Sequence, residues 1–163
     1  MKSFEKIYKV SFDFDGTLEL KPIQAYAREL MQRDWVEVWI TTTRFGDDEK
    51  YKKFFKTTIN VDLTNNDLRE VAADLGIPDE RIHFTDMNDK WPYIKEHGDF
   101  VWHIDDDWVE NRQILNKCKP TKAISSFGNP NWKQKCERIL RNAMKKDIEA
   151  EIRAKYVNDK GTE

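Results

Sequence analysis

Carboxylates gather at two places in this chain, and each place follows an apolar run. Asp13 and Asp15 lie within Val10-Ser11-Phe12-Asp13-Phe14-Asp15-Gly16-Thr17-Leu18, and Asp105, Asp106 and Asp107 follow Phe100-Val101-Trp102-His103-Ile104. Short runs rich in aromatic and β-branched residues read as buried strands. Acids set side by side at a strand end repel one another unless a cation or a shared proton relieves them. In an open parallel sheet, that end faces the crevice where ligands bind. Gly16 permits a turn closed to most residues. The plainer readings are a strand running into an Asp-Gly turn, and a solvated helix start favoured by the helix dipole at Asp105 to Asp107.

The elements that must position these acids alternate along the chain. Lys21-Pro22 opens a helix to about Arg33, with Ile23, Tyr26, Ala27, Leu30 and Met31 on one face. Val36 to Ile40 is a second strand, ending in Thr41-Thr42-Thr43-Arg44. Arg44 suits either a bidentate phosphate contact or a solvent-exposed position. Thr64 caps a helix that Gly76 stops. Ile82 to Thr85 is a third strand, and a helix from about Lys90 to His97 ends at Gly98. Phe100 to Ile104 is the fourth strand; a helix containing Trp108, Ile114, Leu115 and Cys118 follows, closed by Pro120. Ala123 to Phe127 is the fifth strand, and a long helix runs from Asn131 to about Tyr156. Such alternation implies a parallel sheet covered on both faces, hence an α/β, Rossmann-like three-layer sandwich. Residues 1–156 read as a single domain without a large cap, and 157–163 as a flexible C-terminal tail.

Two stretches promise more than scaffolding. The segment from Phe45 to Leu63 leaves the end of the second strand and is longer than a connection needs. Its Tyr51, Phe54 and Phe55 interleave with Lys52, Lys53 and Lys56, which suits base stacking along a phosphate backbone. An ordinary helix with its aromatics packed inward fits the same residues. In the final helix Trp132, Cys136, Ile139, Leu140, Ala143 and Met144 make a core-facing stripe. Ile148, Ile152 and Tyr156 continue it past the edge of a small sheet, so a homodimer contact there is the alternative to a monomer. Lys133, Lys135, Arg138, Arg141, Lys145 and Lys146 give the first half of that helix a basic face.

Asp13-Phe14-Asp15-Gly16-Thr17 after an apolar strand resembles the first motif of the haloacid-dehalogenase (HAD) superfamily, mostly Mg²⁺-dependent phosphatases. Three further pieces resemble that family in the same order: Thr42 ending the second strand (with Thr41 as the near alternative), Lys90 opening the helix before the fourth strand (with Lys95 as runner-up), and Ile104-Asp105-Asp106. The resemblance implies a five-stranded parallel sheet in the order 5-4-1-2-3, which brings Asp13, Asp15, Asp105 and Asp106 into one crevice. It implies Asp13 as nucleophile and Asp15 as general acid and base, with Lys90 neutralising the acids. Thr42, Thr43 and Arg44 would face the substrate phosphate. It further implies Mg²⁺ held by Asp13, Asp15 through its carbonyl, Asp105 and Asp106. Four carboxylates without a His or Cys set suit such a hard cation. His103 reads as a core or supporting histidine rather than a ligand. The short connections at Leu18 to Lys21 and Met87 to Asp89 leave no room for a cap. They suggest an open site of the kind found in short phage-type HAD phosphatases and 5′-nucleotidases.

Composition narrows the partners. The chain has 163 residues, 36% of them charged, and a net charge of −2, which argues against a general nucleic-acid coat. No apolar run approaches membrane-spanning length, and residues 1–6 lack a signal-peptide core. Cys118 and Cys136 form no metal-ligand spacing and read as reduced thiols in a cytoplasmic protein. The expected substrate is a phosphomonoester, with a nucleotide or nucleic-acid end as the first choice. Small metabolites, phosphoproteins, a non-water acceptor, or a phosphate-binding module without turnover are the alternatives.

Overall fold

A computed structural model describes residues 6–55 and 63–161. Its sheet has five parallel strands: β1 (Tyr8–Phe12), β2 (Val36–Thr42), β3 (Ile82–Phe84), β4 (Phe100–Asp105) and β5 (Lys122–Ser125). Their order is β3-β2-β1-β4-β5, the expected arrangement. The first and fourth strands are therefore neighbours, with Phe12 beside Ile104. Six helices connect and cover them: α1 (Lys21–Met31), α2 (Asp48–Phe54), α3 (Asn66–Leu75), α4 (Trp91–His97), α5 (Trp108–Lys117) and α6 (Trp132–Lys160).

Strand alternation sorts the side chains between two layers. Val10, Phe12, Val38, Ile40, Trp102 and Ile104 pack with α1, α3 and α6 in the main core. Trp102 is fully buried there, edge-on to Phe12 at 5.3 Å and stacked on Tyr26 at 6.4 Å. Aromatic pairs of this kind add about 0.5–1.5 kcal/mol each beyond their burial. Glu137 ties α6 to the α1 side: it accepts the Tyr26 hydroxyl at 2.7 Å and both arms of the Arg33 fork at 2.8 Å. The opposite layer, under α4 and α5, has a smaller apolar cluster of Ile94, Phe100, Ile114, Cys118 and Ala123. On that face the polar Ser11, Thr41 and His103 are also buried, and they lead directly to the site.

Several boundaries shift by a residue or two from the sequence reading, and two shifts change what is exposed. β5 stops at Ser125, short of Phe127, where the Asn129 side chain donates to the Ser125 carbonyl and Gly128 adopts φ 61°. Phe127 is thereby left 79% exposed. The last helix does not end at Tyr156 in a loose tail but continues through Lys160. No Gly or Pro interrupts it before Gly161, and Glu151 pairs with Lys155 one turn on. Cys118 and Cys136 are buried free thiols. No helix among the described residues is long and apolar enough to cross a membrane.

Candidate functional site

β1 delivers Asp13 to the carboxyl edge of the sheet, where its amide donates to the Ile104 carbonyl at 2.9 Å. The chain then turns through Asp15 (φ −66°, ψ 124°) and Gly16 (φ 72°, ψ 3°), the angles of a type II turn. Gly16 is required twice over: its φ is left-handed, and a Cβ there would run into the Asp106 carboxylate. The same turn is closed by Leu18 donating to the Asp13 carbonyl and by a Thr17–Ser126 hydroxyl contact at 3.0 Å. Asp105 ends β4 on the Asp13 side of the sheet. Its carbonyl takes the Ser126 amide and the Asn111 side chain, and its Oδ1 takes the Asp107 amide at 3.0 Å. Asp107 itself caps α5 by accepting from Val109 and Glu110, which accounts for the third acid of the run.

Lys90 sits at the start of α4, and its own amide donates to Glu110 at 3.2 Å. Its Nζ lies 2.7 Å from Asp13 Oδ1 and 2.6 Å from Asp105 Oδ2, with the side chain 2% exposed. Lys95 is exposed beside the Trp91 ring, so Lys90 is the lysine of the site. Burial opposes the Lys90 charge, but the carboxylates of Asp13 and Asp105 outweigh it and raise its pKa. For Asp105, bonds to His103 and Lys90 overcome burial and hold the carboxyl below the usual carboxylate range. Asp13 goes the other way. Burial, with Asp105 and Asp106 alongside, pushes its pKa well above the ordinary value despite Lys90. Asp13 is therefore not an ordinary carboxylate, ionised without help.

Behind Asp105 runs a buried hydrogen-bond chain. His103 Nε2 meets Asp105 Oδ2 at 2.8 Å, His103 Nδ1 meets Ser11 Oγ at 2.9 Å, and Ser11 Oγ meets Thr41 Oγ1 at 2.8 Å. Burial lowers the His103 pKa, and the acceptor-only Asp105 assigns the ring proton to Nε2. Ser11 then donates to His103 and Thr41 to Ser11, so the Thr41 proton is spent. The Thr42 hydroxyl only accepts, from the Arg44 amide at 3.3 Å, and keeps its proton to donate. Of the two buried threonines, Thr42 is the one whose hydroxyl proton is not committed within this chain of bonds. Thr43, just past β2, is partly exposed.

Arg44 is not solvent-exposed, and its fork is engaged by two carboxylates. It is 7% exposed and lies over the Phe14 ring at 4.9 Å. Its Nε and Nη2 grip both oxygens of Asp15 at 2.9 and 2.7 Å, while Nη1 and Nη2 grip Asp67 at 2.7 and 3.0 Å. The guanidinium is thus a clamp on Asp15, whose side chain is 54% exposed at the opening. The clamp also holds the Asp67 carboxyl below its ordinary pKa.

Asp13, Asp105 and Asp106 each offer an oxygen within 4.8 Å of the others; the Asp15 carboxylate is not in this set. Burial, above all, raises the pKa of Asp106 as it does that of Asp13. Three carboxylates face a single ammonium in this cluster, and every offered atom is oxygen. That donor set and its excess of negative charge fit a hard divalent cation such as Mg²⁺.

Each loop on this edge also leaves an apolar side chain in solvent. Leu20 follows β1, Phe54 follows β2, Met87 follows β3, Trp108 follows β4 and Phe127 follows β5, all exposed. In α2 the aromatics pack on one another, Phe45 with Phe54 and Tyr51 with Phe55, and no residue of that helix is buried. Lys52 and Lys53 lie on it, and Lys56 falls outside the described residues.

Sequence reasoning missed Ser11, Glu110 and Asp67, and saw His103 only as a supporting group. A polar Ser11 and His103 within otherwise apolar strands were the available signals. Asp67 carried none, because it meets Arg44 from a separate helix. No family model, no curated protein and no solved structure matches this chain.

Proposed function

We propose that this chain is a Mg²⁺-dependent phosphomonoester hydrolase of the HAD type, working through an aspartyl-phosphate on Asp13. One observation carries the reading: Lys90 joins Asp13 to Asp105 deep in the crevice, while Asp15, two residues on, is turned to the opening and clamped by Arg44. Two carboxylates of one turn are given separate environments, which is how acid and base roles are divided.

The cation, held by Asp13, Asp105 and Asp106, would offset the repulsion between carboxylates and phosphate and polarise the phosphoryl group. The remaining roles belong to side chains of the site. The Asp13 carboxylate attacks phosphorus, and the bond from phosphorus to the leaving oxygen breaks. Asp15 carries a proton to that oxygen in the substrate-bound state, where one of its oxygens has left the Arg44 fork and the other stays held by it. Water then attacks the acyl phosphate, Asp15 takes its proton, and phosphate departs with Asp13 restored. Lys90 keeps the second charge of the Asp13–Asp105 pair neutralised throughout. Thr42 donates its free proton to a phosphoryl oxygen.

The exposed Asp15 carboxylate and the exposed aromatic and aliphatic side chains on this edge favour a large substrate presenting a terminal phosphate, a nucleotide or nucleic-acid end. The test is a screen of nucleoside monophosphates, 3′- and 5′-phosphorylated oligonucleotides, sugar phosphates and phosphopeptides, with Asp13→Asn as the blank. Mg²⁺-dependent phosphate release from at least one class, absent from the blank, is the expected result. Release that persists in Asp13→Asn overturns the reading.

A further inference from the structure

Among the described residues, the final core contact of α6 is Met144, and Lys6 and the Tyr8 hydroxyl bond to its Asp147. From Ile148 to Lys160 every residue is exposed. That length spans roughly 20 Å at ~1.5 Å per residue. A free helix this short is marginal in water. Ile148, Ile152 and Tyr156 nonetheless stay in line along it, 37%, 61% and 61% exposed.

We propose that this projecting half of α6 is a homodimer surface on which two copies pair antiparallel about Ile152. At about 100° per residue, Lys145, Ile148, Glu149, Ile152, Lys155, Tyr156 and Asp159 fall on one face. Their charges reverse sign across Ile152: Glu151 is mirrored by Arg153, Glu149 by Lys155 and Lys145 by Asp159. An isologous two-fold contact needs this pattern, since each half must complement the other. With Ile152 against its own copy, Ile148 lies level with Tyr156 of the second copy. Glu149 comes beside Arg153 of the second copy on one flank and Glu151 beside Lys155 of the second copy on the other. Lys145 and Asp159 of the second copy meet at each end. A parallel pairing sets every charge on its like. The pair between Glu151 and Lys155 within one helix, at 3.4 Å, is exposed and gives way readily, since such pairs are worth ~0–1 kcal/mol.

The placement leaves the candidate site free. α6 begins after β5 at the crevice edge and reaches Tyr8, the first residue of β1, at Asp147, so its projection leaves from the opposite edge. Both crevices of the pair face outward. This surface stands whether or not the chain is a phosphatase.

Sedimentation equilibrium of the full chain, run over a wide concentration range, tests it. The mass should rise from 19.5 kDa to twice that value. Reversing the basic half (Arg153→Glu with Lys155→Glu) or the acidic half (Glu149→Lys with Glu151→Arg) should hold each variant monomeric, with helix content by circular dichroism unchanged. An equimolar mixture of the two should regain the doubled mass, and the four substitutions combined in one chain should restore the homodimer. Orientation is read by cross-linking: Ile148→Cys should oxidise to Tyr156→Cys when mixed and not to itself, the native cysteines being buried. A wild type that stays monomeric throughout, reversals that dimerise unchanged, or an Ile148→Cys chain that cross-links to itself as readily would overturn the proposal.

Discussion

Replacing Lys90 by Met removes one charge and almost no volume, and the structure fixes what that does. Lys90 Nζ sits 2.6 Å from Asp105 and 2.7 Å from Asp13, and all three side chains are nearly closed to solvent. Removing one partner of a buried ionic group costs ~3–5 kcal/mol, because the remaining charge loses its compensation. For a chain of this size that is roughly a 6–20 °C drop in melting temperature, at ~2–4 °C per kcal/mol. Protonation of Asp13 softens the loss, since its pKa is already raised by burial and by its acidic neighbours. The loss should therefore be largest at alkaline pH and shrink as the medium is acidified. Added Mg²⁺ supplies positive charge to the same carboxylates, so it should raise the melting temperature of Lys90→Met by more than that of wild type. The assay is thermal unfolding at pH 6 and pH 8, in EDTA and in Mg²⁺. A Lys90→Met protein as stable as wild type in EDTA at pH 8 refutes the charge balance argued for the site.

Other outcomes follow from the same geometry. Arg44→Lys keeps the charge but loses the fork on Asp15, so kcat should fall at least about tenfold, part of the ~10²–10⁴ that positioned proton transfer contributes. The fall should be larger for alkyl phosphates than for p-nitrophenyl phosphate, whose leaving group needs no proton; equal losses would remove Asp15 as the acid. In the metal-free protein Asp13 holds a proton that the unfolded chain gives up near pH ~4, so stability should decline as pH rises above that value. Mg²⁺ must displace that proton, and titration calorimetry should find its affinity rising with pH; a flat profile contradicts the raised Asp13. Glu137 is the opposite case: the Arg33 fork lowers its pKa, so its contribution is complete above pH ~4.3 and lost as pH falls through the lower folded value. Glu137→Gln should accordingly be less stable than wild type at neutral pH and lose less on acidification, as urea unfolding at several pH values would report.

How much could be read in advance depended on where the signal lay. The strands were legible because apolar runs such as Tyr8 to Phe12 and Phe100 to Ile104 stop abruptly at acids. Asp13 and Asp105 were legible because each closes such a strand, and Lys90 because the resemblance to the HAD motifs puts a lysine at the start of that helix. Arg44 was misread because its partners, Asp15 and Asp67, come from different segments, and no local pattern announces a clamp between them. The raised pKa of Asp13 has no local signal for a related reason: burial depends on what folds over a residue, not on its neighbours in sequence. The end of α6 was placed a turn early because its apolar stripe ends at Tyr156, whereas the helix needs only the absence of Gly and Pro to continue.

The central claim is that Asp13 becomes phosphorylated, and it can be measured directly. Wild-type protein is mixed with Mg²⁺ and a turned-over phosphomonoester, quenched in acid within one turnover, digested and analysed by mass spectrometry. The account predicts a phosphoryl adduct on the carboxylate of Asp13, released by hydroxylamine and lost on longer incubation before the quench. Turnover at the normal rate with Asp13 never modified, or with the adduct on another residue, would contradict it.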